Sequence, residues 1–133
     1  MQPSDTTDWH LLHHAYGSAA NLPGLLEHAA RFPAEPDWQS EPWFSLWSAL
    51  YPQGDISPAS IAAVPVIVSA LAREPGKATL SHYLLPTSIA VADHTSPVDV
   101  GPALRRRFGE AIQALGAIAA QQLPMLPDGN IAR

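Results

Sequence analysis

The chain contains no cysteine, which removes disulfides, thiolate nucleophiles and Cys-based zinc or iron–sulfur sites from consideration. Charge is scarce as well. Only 14% of the 133 residues are charged, and seven Lys plus Arg against twelve Asp plus Glu leave a formal net charge of −5. A chain of that sign and sparseness offers no basic surface for nucleic-acid phosphates or anionic lipid, so neither nucleic acid nor membrane is expected as a partner. Long hydrophobic runs are missing too. The longest apolar stretch, residues 61–68, falls far below the roughly 20 residues of a membrane helix. The first thirty residues lack the basic start and apolar run of a secretory signal. A soluble, cytoplasmic protein is the expectation.

Catalytic signatures are absent in the same way. There is no G-x-S-x-G or S-x-x-K pattern for a serine nucleophile, no P-loop and no G-x-G-x-x-G. No cofactor is therefore expected. Strict apolar–polar alternation around a hairpin turn is also missing, and Asp128-Gly129 lies in the tail. An all-α fold follows.

What is present is an apolar content of 47%, enough for one compact core, and fourteen prolines and eight glycines that fall between periodic segments. They act as punctuation. The spacing predicts a single helical domain over residues 8–123, with residues 1–7 and 124–133 loosely held. Six helices are expected within it. Asp8 caps a first one carrying Trp9, Leu12, His13 and Tyr16, which Gly17 ends. Asn21 and Pro23 open a second, whose apolar face is Leu22, Leu25, Leu26, Ala29 and Ala30 before Phe32-Pro33. A third covers roughly 41–51, with Trp43, Leu46, Trp47 and Leu50 at helical spacing.

Ser57-Pro58 is a cap followed by proline at the first helical position, and opens a fourth helix to about Arg73. That helix is apolar nearly all round, so it is expected at the centre of the domain, bent at Pro65. A fifth helix is expected over about 77–92, with Pro86 inside it, and a sixth over about 102–123. Short links between helices imply antiparallel neighbours, and three pairs of about 40 residues match the unit size of HEAT or armadillo arrays. Stacked helical hairpins, as a short solenoid, are the expected architecture.

The stretches Trp43-Phe44-Ser45-Leu46-Trp47 through Gln53-Gly54, and Ser57-Pro58-Ala59 through Ala63-Val64-Pro65, resemble a segment of bacterial HEAT-like repeat proteins of uncharacterised function. There a helix with a Trp and Leu pattern meets a Gln-Gly turn, and an Ala-rich helix with an Ala-Val-Pro step follows. Ala15-Tyr16-Gly17 and Leu22-Pro23-Gly24-Leu25-Leu26 fit the same pattern. The chain departs from it at Tyr51-Pro52, where a polar residue or His precedes Gln-Gly, and at Asp55-Ile56-Ser57, where an aromatic often follows. The resemblance implies an α-solenoid and, for some such proteins, an immunity or scaffold role.

Candidate chemistry is thin. His10 and His14 share a helical face at i, i+4 spacing, which suits two metal ligands, with His28 or a distant acid as a third. No Glu follows His10 as a zinc-protease motif requires, and packed or solvated imidazoles are the simpler reading. A small metal-dependent hydrolytic enzyme is thus the minor alternative. Arg105-Arg106-Arg107 would fan out at about 100° per residue and reads as a solvated face, or as a salt bridge to loop acids or to an acidic partner.

Tryptophan is the informative residue. Trp38, Trp43 and Trp47 crowd ten positions. Trp43 and Trp47 are expected in the core, whereas Trp38 sits in a proline-broken loop with Glu35, Asp37 and Glu41. Charge is divided along the chain in keeping with this: residues 1–60 carry seven acids and one base, residues 61–133 five acids and six bases. The expected function is a non-enzymatic protein-binding domain, an immunity-type inhibitor or scaffold, docking a basic partner surface. Its contact residues would be Glu35, Asp37, Trp38, Glu41, Tyr51, Gln53 and Asp55, with no metal. A homodimer subunit is the remaining alternative.

Overall fold

The computed structural model describes residues 21–122 throughout, with the backbone of His13, His14, Gly17 and Ser18. Helices joined by turns and loops make up the described residues, with one two-residue antiparallel pairing, β1 (His13–His14) with β2 (Gly17–Ser18), in which His13 faces Ser18 and His14 faces Gly17. This corrects the first expected helix. His13 and His14 are extended, not helical, and Gly17 pairs with His14 instead of ending a helix. A helix of two turns is marginal without a packed face to hold it. The remainder of that segment, and both terminal stretches expected to be loose, lie outside the described residues.

Five α-helices follow: α1 (Leu22–Ala29), α2 (Trp43–Leu50), α3 (Pro58–Arg73), α4 (Leu80–Thr95) and α5 (Pro102–Gln122). The middle rod is α3. It packs most extensively on α5 and then on α4, and also meets α1. Ile61, Ala63, Val64 and Leu71 are fully buried there, each large side chain contributing on the order of 1.5–3 kcal/mol on leaving water. Its start is fixed as the sequence predicts: Ser60 Oγ accepts the Ser57 backbone N–H at 3.0 Å and donates to the Leu50 carbonyl at 2.7 Å. One hydroxyl thereby caps α3 and ties it to the end of α2.

The fifth expected helix is shifted. α4 begins at Leu80 and runs to Thr95, three residues later at each end than the spacing suggests. Residues Pro75–Lys77 form a separate 3-10 turn, and Thr79 with extended backbone becomes the N-cap. Past Ala92, Asp93 is buried at the α4–α5 junction. Its carboxylate accepts two hydrogen bonds from Arg105, at 2.6 and 3.2 Å, and one from the Val98 N–H at 3.0 Å, while Arg105 also donates to the Val98 carbonyl at 2.5 Å. Arg105 is thus a strut of the loop between α4 and α5, not part of a solvated face.

The C-terminal end of α1 shows how the loop toward the site is launched. Phe32 takes a left-handed backbone, φ 56°, which a residue with a side chain adopts only when its surroundings hold it there. Its ring stacks on His82 at 5.2 Å, and the Arg73 guanidinium lies 6.0 Å from its centroid. The same two residues tie down the end of α1: His82 Nε2 donates at 3.0 Å to the Ala29 carbonyl, which also accepts the Phe32 N–H at 3.1 Å, and Arg73 donates to the carbonyl of the C-cap Ala30 at 3.3 Å.

Candidate functional site

Between the outward side of α2, the first turns of α4 and the loop joining α1 to α2 lies an open groove of about 620 Å³. Its walls are Trp38, Phe44, Trp47, Tyr51, Leu80 and Leu84, with Glu35 and Asp37 on the loop side. Trp38 is 73% exposed and Leu80 69%, and Phe44 and Leu84 are exposed as well. Four of the five exposed large hydrophobic side chains among the described residues therefore share one depression; the fifth is Val91.

The loop is shaped by its own polar groups. Asp37 Oδ1 accepts the Gln39 N–H at 2.9 Å, the Asp37 N–H goes to Ser40 Oγ at 3.2 Å, and the Ser40 N–H returns to the Asp37 carbonyl at 3.2 Å. These bonds close a tight turn with Trp38 inside it. The indole leans on Phe44, centroids 5.7 Å apart and planes 58° to each other. Trp47 and Tyr51 make a second, edge-on pair at 5.8 Å.

Glu35 does something different from the neighbouring acids. Oε1 accepts the Thr79 hydroxyl at 2.6 Å and the Ser81 N–H at 3.1 Å, and Oε2 accepts the Ser81 hydroxyl. Ser81 Oγ in turn accepts the Trp47 indole N–H at 2.9 Å. A carboxylate on the first-turn N–H groups of a helix also sits at the positive end of its dipole. Glu35 is consequently the rivet that holds the loop to α4, with both oxygens in use.

Beside it, His82 is wholly buried between Phe32 and Trp43, whose ring meets the imidazole edge-on at 4.8 Å. Nδ1 accepts the Thr79 N–H at 3.0 Å, so the ring proton resides on Nε2 and is donated to the Ala29 carbonyl. Burial pulls its pKa below the ordinary histidine value; the Ala29 hydrogen bond and the charge of Glu35 offset this only in part. His82 is neutral and structural.

The groove brings together Glu35, Asp37, Trp38 and Tyr51. Glu41, Gln53 and Asp55 are exposed but outside its lining. Glu41 accepts the Ser45 N–H at 3.2 Å and hydroxyl at 2.9 Å, serving the start of α2. Gln53, left-handed at φ 54°, and Gly54 at φ 85° form the turn after α2. Of the two tryptophans expected in the core, Trp43 is there, its indole N–H lacking a hydrogen-bond partner, while Trp47 is half-buried and forms groove wall.

Phe44, Leu80 and Leu84 are groove residues that the sequence reading does not single out. The signal lies in α4: Leu80 and Leu84 share one face at i, i+4, while Leu85 and Ile89 share another that is buried. Of the histidines considered as metal ligands, His10 lies outside the described residues, His14 is described only in its backbone pairing, and His28 is exposed on α1. Among the described residues no group of three or more His, Asp or Glu side chains is placed to hold a metal ion. No described helix is long and apolar enough to cross a membrane. A second groove of about 440 Å³ runs between α4 and α5 beside Val91, and no carboxylate of the described residues lines it.

Comparison with protein-family models, with curated proteins and with solved structures finds no match.

Proposed function

We propose that the chain is a non-enzymatic protein-binding domain that docks a basic partner surface through the acidic aromatic groove. The observation carrying this reading is the concentration of exposed Trp38, Phe44, Leu80 and Leu84 in one depression edged by Asp37. Large apolar side chains left in water at one place cost the free protein stability, and Trp in particular anchors interfaces. Negative charge on the same side adds steering toward a basic partner. An immunity-type inhibitor or a cytoplasmic scaffold, built as a short HEAT-like stack of hairpins, is the form of this proposal that the sequence resemblance favours. Tyr51 belongs to the docking surface; Glu41, Gln53 and Asp55 lie at its periphery.

The test is photo-crosslinking in cells that produce the chain. A benzophenone side chain at position 38 should yield one discrete adduct that the same group at exposed Ala72 does not, and Leu80→Asp should abolish it. Identical adducts from both positions, or none from position 38, would overturn the docking surface.

A further inference from the structure

We infer that the groove receives one arginine side chain of the partner, flanked by apolar residues, with its guanidinium against Trp38 and Phe44 and paired to Asp37. This rests on the docking reading above and narrows it to one recognition chemistry. Two carboxylates face the groove, but they are not equivalent. Glu35 spends both oxygens on Thr79 and Ser81. Asp37 uses Oδ1 for the turn, and its Oδ2 accepts no hydrogen bond among the described residues. Among the described residues no Lys or Arg lines the groove. The site therefore offers a single uncompensated carboxylate, and it calls for a single cation.

The surroundings of that carboxylate select the kind of cation. Trp38 is mostly exposed, so a face of the indole is open to stacking, and Phe44, tilted by 58° at 5.7 Å, makes a corner with it. A planar, weakly hydrated guanidinium can lie on an indole and still donate through its edge to a carboxylate, whereas a compact ammonium holds its water more strongly. Beyond the corner the walls are Leu80, Leu84 and Trp47. They offer apolar contact to residues next to the arginine, not a second charge.

The probes are three acetylated, amidated pentapeptides with arginine, lysine or citrulline at the centre and two leucines on each side, titrated into the full chain while the Trp38 indole resonance is followed by NMR. Citrulline keeps the shape of arginine and removes its charge. The arginine peptide should shift the Trp38 indole signal and bind at least fivefold more tightly than either of the others. Asp37→Asn, which keeps an Oδ1 acceptor for the turn, should erase the arginine advantage and leave the citrulline peptide unchanged; Trp38→Ala should weaken the arginine peptide as well.

Equal affinity of the arginine and citrulline peptides, equal affinity of arginine and lysine, or no shift at Trp38 with any peptide would each overturn the arginine site. Crosslinking from position 38 would still be seen in those cases if the groove docks a partner by other contacts, so the two failures are distinguishable.

Discussion

Glu35 belongs by sequence to a string of acids around Trp38 and by structure to the start of α4. Its hydrogen bonds cross 44 to 46 positions of chain, a span that no local pattern reveals. Removing it should be felt in stability before binding. Glu35→Ala strips acceptors from the Ser81 N–H and two hydroxyls and should cost about 1–3 kcal/mol, read as a lower urea midpoint. Asp37→Asn retains the turn acceptor on an exposed loop and should stay within about 0.5 kcal/mol of the parent. His82 supplies a second measurable contrast. Because its folded pKa lies below the ordinary value of 6.5, the unfolded chain takes up a proton first as pH falls. Its contribution is complete above pH 6.5 and is lost as pH drops below that value toward the folded pKa. His82→Gln should lower stability at pH 7.5 and flatten the decline below pH 6.5, by up to about 1.4 kcal/mol per pH unit for one proton.

Among the elements, α3 and the α4–α5 hairpin carry most of what can be tested by substitution. Leu71 is fully buried on α3, and Leu71→Ala should cost about 2–5 kcal/mol in chemical denaturation. A double-mutant cycle between Asp93 and Arg105 should return a coupling of about 1–2 kcal/mol, modest because Arg105 is more than a third exposed and partly screened. Burial alone would raise the Asp93 carboxyl, yet the Arg105 and Val98 hydrogen bonds together hold it below its ordinary value. Its contribution is present above that value and is lost as pH falls through the folded pKa, so Asp93→Asn should flatten the acid limb of the stability profile below about pH 4. Helix positions carried by a cap and proline or by a clean apolar stripe were legible in advance, as Ser57-Pro58 at α3 and the stripe of α5 from about 102 show. The His13–His14 pairing was not, since a short amphipathic spacing also suits a helix. Nor was the exposed face of α4, because apolar residues occur all around that helix and only its packing on α3 decides which of them leave water. Asp37 and Trp38 were legible as candidate site residues because a tryptophan among acids and prolines has no obvious core to enter; Leu80 and Leu84 became groove walls only once α4 was set beside α2.

At the scale of the whole molecule, the negative charge is concentrated in residues 1–60, the portion that supplies Asp37 and Trp38. Association with a basic partner should accordingly slow as salt rises, by roughly tenfold or more from low salt to several times physiological ionic strength, with a much smaller change in dissociation; stopped-flow measurement checks this. The placement of the three described tryptophans has a practical result of its own. Trp43 is sealed, Trp47 is half covered and donates to Ser81, and Trp38 stands in water. Dissolved iodide would dim the Trp38 emission ahead of the other two described tryptophans, and the part of the quenching that Trp38→Phe removes is an unlabelled optical gauge of whether the proposed docking surface is occupied.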